Sequence, residues 1–281
     1  TRVACSRHGN GSGVWRDRPR RGRAVRVLGV GTRGWRASDM ETDPECGPVD
    51  AFALAVRFHG RGADARLDAL TDGTLIEQLT SLQIGSNRLI EDDQAGCWER
   101  FCALLAKDES QLKVLDVSKV GLHPRALVCL ADSIILSPDV TDLDLSGNPL
   151  TTTTKRDGRE RKDSSGLASL LMASTFIRSL DLSQAGLTDD CAEVIAHSLA
   201  DLPTIEALKL WGNGEIGVKG ATLIASQLRR APSLRLLSIG FSRSSGFAVP
   251  ANDDTVVELQ CSKAGLEAAD AILIAAAMST L

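Results

Sequence analysis

The chain has 281 residues, 43% hydrophobic and 24% charged, which places it in the ordinary soluble range and suffices for one large core or one elongated repeat array. No run of about 18 apolar residues free of charge occurs, which excludes a helix spanning a membrane. The net charge of −4 hides an uneven division: residues 1–39 hold ten arginines and two aspartates, net +8, so the rest of the chain carries −12.

Within this basic leader, GVGTRG (29–34) matches the G-x-G-x-x-G dinucleotide pattern. That chemistry needs a helix opening directly after the glycines, so that its N-terminus faces the pyrophosphate. Here Trp35, Arg36 and Ser38 lead to Asp43-Pro44 within ten residues, too short for a helix with an apolar stripe. An arginine-rich nucleic-acid arm and a targeting peptide are the other functional readings. Against both, the segment is glycine-rich and lacks an amphipathic stripe, and it ends at Met40, the first methionine. The expectation is a native start at Met40 and a disordered, non-native segment over 1–39. Over 40–78, Val49, Phe52, Ala53 and Val56 share one face of a short helix, an expected N-terminal cap.

From residue 79 on, the pattern L-x-x-L-x-L-x-x-N-x-L recurs in order. It reads LTSLQIGSNRL (79–89), LKVLDVSKVGL (112–122), VTDLDLSGNPL (140–150) and IRSLDLSQAGL (177–187), and then starts again at Ile205, Leu234 and Val256. The starts are 33, 28, 37, 28, 29 and 22 residues apart. Apolar residues at helical spacing predict helices over 91–107, 124–136, 165–174, 218–230 and 266–278. A further helix follows Thr188 as N-cap, with Asp189 and Asp190 in its first turn. TTTTKRDGRERKD (151–163) fills the long interval as a solvated insertion or a partner-binding loop with modifiable threonines. GFSRSSGFAVPANDD (240–254) fills the short one, where Gly246 and Pro250 predict a loop in place of a helix and Phe241, Phe247 and Val249 patch the gap or meet a partner. The chain stops at Leu281 just after a helix, which suggests a truncated C-terminus or a mate for an exposed edge.

Units of 28 and 29 residues with a full helix resemble the ribonuclease-inhibitor class of leucine-rich repeats. In that class asparagine alternates with a small residue at the ninth position, and this chain has Asn87, Val120, Asn148, Ala185 and Asn213 there, departing at Ser242 and Ala264. The resemblance covers about 79–281. It implies an α/β fold: a right-handed βα solenoid of about seven repeats bent into a horseshoe, with a parallel β-sheet on the concave face and helices on the convex face.

The open strand face then carries Gln83, Asp116, Asp144, Asp181, Lys209, Ser238 and Gln260 down the stack, with Asp142 beside Asp144. Three adjacent aspartates read equally as common repeat wording or as a dock for a basic partner. Two residues further along each unit lie Gly85, Ser118, Ser146, Ser183, Trp211, Gly240 and Ser262, with Trp211 the one large aromatic and a candidate anchor. No nucleophile elbow, P-loop or metal motif occurs, and the seven cysteines form no CxxC or zinc-spaced set, which suits reduced intracellular thiols.

The expectation is therefore a non-enzymatic module of the cytoplasm or nucleus, without cofactor or metal. It would bind a protein with a basic surface through Asp116, Asp142, Asp144, Asp181, Lys209 and Trp211, and neither nucleic acid nor membrane. The alternative is a GTPase activator resembling the Ran GTPase-activating proteins, which share the repeat class.

Overall fold

The computed structural model describes the backbone of 4–7, 13–16, 25–30 and 52–58, and residues 79–86, 90, 95–106, 111–154, 160–242, 246–252, 259, 261 and 265–279. The chain is α/β with a mostly parallel sheet. Its first four strands are β1 (Ala4–Arg7), β2 (Gly13–Arg16), β3 (Val25–Val30) and β4 (Phe52–Phe58). From there strands and helices alternate: β5 (Leu79–Gln83), α1 (Ala95–Leu105), β6 (Val114–Asp116), α2 (Pro124–Ile135) and β7 (Asp142–Asp144). A hairpin of β8 (Thr152–Thr154) and β9 (Glu160–Lys162) follows, then α3 (Ser165–Ala173), β10 (Ser179–Asp181) and α4 (Asp189–Ser198). The last elements are β11 (Ala207–Lys209), α5 (Val218–Gln227), β12 (Leu236–Ile239), β13 (Phe247–Pro250) and α6 (Ala268–Ser279).

The sheet is open, in the order β1-β2-β3-β4-β5-β6-β7-β10-β11-β12-β13. Every neighbouring pair from β3 to β12 is parallel. A leucine at the centre of each strand sets the register: Leu82, Leu115, Leu143, Leu180, Leu208 and Leu237 are all at most 2% exposed. With one residue between them, the next aliphatic positions, among them Ile84, Val117, Leu145, Leu182 and Leu210, fall on the same buried face. The helices cover that face and pack in chain order, each on the next. At the first helix Trp98 and Phe101 fill the core, with ring centroids 5.2 Å apart, and the Trp98 indole N–H donates to the Ala126 carbonyl at 2.9 Å.

The turns at the strand ends explain the alternating asparagines. Asn148, 1% exposed, accepts at Oδ1 from the N–H groups of Val120, Gly121 and Leu122 at 2.9 to 3.0 Å. Its Nδ2 donates to the carbonyls of Val117 and Leu145, both at 2.8 Å. Asn213 repeats the arrangement two strands on, accepting from Ala185 and Leu187 and donating to Leu182 and Leu210. One asparagine thus serves its own turn and the preceding one, so the preceding ninth position needs only a small buried residue, Val120 or Ala185. Where Ser242 breaks the series, Asp270 of α6 takes over: its carboxylate, 1% exposed, accepts from the N–H groups of Gly240, Phe241 and Glu267.

Helix starts follow local chemistry. α2 has Pro124 in its first turn, and His123 Nδ1 caps the Ala126 N–H at 3.3 Å. Thr188 does hold the N-cap position of α4, yet its hydroxyl makes no capping bond and lies 3.4 Å from Cys191 Sγ. The N-cap of α5 is Gly217, without a side chain, and the Asp189 carboxylate of α4 accepts from Gly217 and Gly220 instead.

The structure corrects two expectations and refines two others. The leader contains β1, β2 and β3 rather than lacking structure, and Gly29 and Val30 lie inside β3; Gly31 to Gly34 of the glycine motif lie outside the described residues. The cap helix at Val49 to Val56 is instead β4, because Phe52, Leu54, Val56 and Phe58 also alternate at period two. The 151–163 insertion is the β8–β9 hairpin, anchored by the Thr151 hydroxyl on the Gly186 carbonyl at 2.7 Å and by the Lys162–Glu215 ion pair at 3.1 Å. Finally, the sixth unit has, as expected, no helix over 240–254 among the described residues, with Phe241 and Val249 buried, but the chain there turns back as β13, antiparallel on β12, rather than forming a loop alone. β13 takes the place beside β12, and among the described residues six parallel strands run from Leu79 on; Val256, Gln260 and Ser262 of the expected seventh unit lie outside the described residues. Among the described residues Cys102, Cys129, Cys191 and Cys261 are free thiols, and no helix is long and apolar enough to cross a membrane.

Candidate functional site

Strand pairing places the polar row opposite the leucine face in direct register: Gln83, Asp116, Asp144, Asp181, Lys209 and Ser238 are successive Cα partners across six parallel strands. The backbones that carry neighbouring aspartates therefore stand one strand spacing apart, about 4.8 Å. Asp142 lies two residues before Asp144 on the same face, with Thr141 Oγ1 donating to its Oδ2 at 2.8 Å.

Each of the three aspartates has a local task. Beyond the strands, the backbone ladder uses the N–H of every second residue, as in Val117 and Lys119, Leu145 and Gly147, or Leu182 and Gln184. The N–H between them has no ladder partner. In three successive units the aspartate two residues back accepts it: Asp116 from Ser118 at 2.9 Å, Asp144 from Ser146 at 2.9 Å and Asp181 from Ser183 at 3.0 Å. This Asp-x-Ser turn is the physical reason for the recurring wording, and it occupies one carboxylate oxygen per aspartate. The D-x-S spacing at the same place in three successive repeats was the missed signal.

The remaining oxygens differ. Asp181 is 8% exposed, and its Oδ2 accepts from Lys209 Nζ at 3.0 Å, so its charge is matched within the face. The Ser183 hydroxyl beside it is buried without a hydrogen-bond partner, whereas the Ser146 side chain bonds Asp144. Asp116, Asp142 and Asp144 are half-buried and have no ion-pair partner among the described residues. Burial raises the Asp144 carboxyl above its ordinary value; the bonds from Ser146 oppose the rise, and the charges of Asp181 and Asp116 add to it.

Trp211 differs from its expected state. It is half-buried rather than open, because Gly246 at the start of β13 lies against it: a Cβ on Gly246 would come within 2.6 Å of Trp211 Cδ1. The residues proposed from sequence thus divide into an acidic group of Asp116, Asp142 and Asp144, a neutral pair of Asp181 and Lys209, and a partly covered Trp211 at the β13 end. Among the described residues no group of three or more His, Cys, Asp or Glu side chains is arranged to hold a metal ion. No protein-family model matches the chain.

Proposed function

We propose that the chain is a leucine-rich-repeat solenoid of the ribonuclease-inhibitor kind and acts as an intracellular interaction module, holding a protein partner with a basic surface against its concave strand face. The repeat reading is supported by the in-register parallel strands, each followed by a buried turn, and by asparagines that serve two turns at once. The binding reading is carried by Asp144: a half-buried carboxylate between two others, with no cation of its own. Confining like charges costs free energy that an incoming lysine or arginine would recover. Lys209 closes the acidic group on the β11 side, so the partner's cations engage Asp116, Asp142 and Asp144, and the accessible part of Trp211 borders the contact.

The test uses asparagine, which keeps the acceptor for the Ser118 and Ser146 N–H groups while removing charge. Asp116→Asn/Asp144→Asn should stay folded and be no less stable than wild type. It should weaken a basic partner's binding about tenfold or more. Unchanged binding in a folded variant would reject the acidic face as the contact.

A further inference from the structure

We propose a second docking surface, at the C-terminal ends of α2 and α3, for an amphipathic helix of a partner protein whose apolar stripe is flanked by lysine or arginine. Among the described residues the large apolar side chains left exposed are Ile135 (56%), Leu136 (56%), Met172 (77%), Phe176 (50%) and Val218 (53%). Four of the five gather here. Pairing of Asp142 with Ser179 offsets the two units by 37 residues, which puts Ile135 and Met172 at equivalent places on adjacent helices, and Asp139 beside Phe176. The following units hold Ala200 and Arg229 at the place of Met172, so the apolar surface does not continue into them. Elsewhere these helices bury their apolar residues, Ile134 and Leu171 among them, so the exposed set is not a shortage of core. Clustered methionine and phenylalanine suit the centre of a protein contact.

Charge around the patch selects the occupant. Asp132 and Asp139 are exposed and without an ion-pair partner among the described residues, while Arg178, two residues past Phe176, is held by Glu206 at 3.3 Å. Counting Lys113, just before β6, the described residues of the rim are still net negative. An anionic lipid surface would be repelled, since interfacial binding relies on lysine and arginine around the apolar face. A second copy of the chain meeting this patch about a two-fold axis would bring the same carboxylates together. A helix with basic flanks meets neither obstacle.

The full chain is titrated against a fluorescein-labelled leucine/lysine amphipathic helix and against a leucine/glutamate twin, read by anisotropy. The expected result is saturable binding of the lysine peptide only, weakened about tenfold by Met172→Ser and by Ile135→Ser. Both serine variants replace exposed side chains and should melt as wild type does. Equal binding of the twin, or undiminished binding in the serine variants, overturns the proposal. So does a dimer in sedimentation, or pelleting with phosphatidylserine vesicles, that Met172→Ser abolishes; and since the concave face is elsewhere, neither result bears on the role of Asp144.

Discussion

Replacing Asn148 by alanine removes five hydrogen bonds at a site 1% exposed. The N–H groups of Val120, Gly121 and Leu122 lose their common acceptor, and the carbonyls of Val117 and Leu145 lose a donor. Each buried polar group left unpaired costs about 1 to 3 kcal/mol, but water entering the vacated volume would satisfy several at once. The net loss is therefore set at about 3 to 5 kcal/mol, a large share of the roughly 5 to 15 kcal/mol typical of a folded protein. Asn148→Asp is expected to be as harmful for a different reason: it keeps the acceptor but directs a buried carboxylate at two carbonyl oxygens. Urea unfolding followed by circular dichroism reads both, with the slope checked because repeat arrays can lose two-state behaviour. A loss under about 1 kcal/mol for Asn148→Ala, with an unchanged slope, would refute the two-turn role.

Three further changes test other parts of the account. Gly166→Ala should destabilise by about 1 to 3 kcal/mol despite alanine's better helix propensity, because its Cβ would overlap the Pro124 carbonyl where α3 meets α2; a gain in thermal midpoint would contradict the packing. Asp270→Ala should loosen the end of the sheet by leaving Gly240, Phe241 and Glu267 N–H groups without their acceptor, detected as faster amide exchange in β12 and α6 relative to β6. Asp144 supplies a pH test. Its folded pKa lies above the ordinary 3.8, so the stability it contributes is fully present below that value and is lost as pH rises through the folded pKa. Asp144→Asn should therefore gain on wild type across that rise and hold a constant advantage above it; a difference that shrinks with pH would give the wrong sign.

Much of the fold was legible because the leucine spacing is a register device. Leu82, Leu115, Leu143, Leu180, Leu208 and Leu237 align the strands, so a row read down the sequence, from Gln83 through Asp116 to Ser238, is also a row in space. Helices over α2, α3 and α5 were readable from apolar spacing within a residue or a turn. The failures share a cause. Phe52 to Phe58, and Phe247 to Pro250, are short apolar runs whose partners lie elsewhere in the chain, and no local pattern says whether such a run pairs with a neighbour or coils alone. At the site, the row of aspartates was visible, but its internal chemistry was not. That Lys209 reaches Asp181, or that Gly246 covers Trp211, depends on side-chain reach and on the chain turning back at β13. The Asp-x-Ser turns were written in the sequence; recognising them required the ladder to show which N–H was left over.

The central claim is that the charge of Asp116, Asp142 and Asp144, not the shape of their turns, holds a basic partner. Quantitative affinity capture with the wild-type chain and with Asp116→Asn/Asp142→Asn/Asp144→Asn tests it most directly, the variant first being shown to be folded and no less stable than wild type. The account predicts a partner that elutes from the wild type as salt is raised and is lost from the asparagine variant. If every protein captured by the wild type is retained by the variant in equal amount, the acidic strand face is not the binding surface.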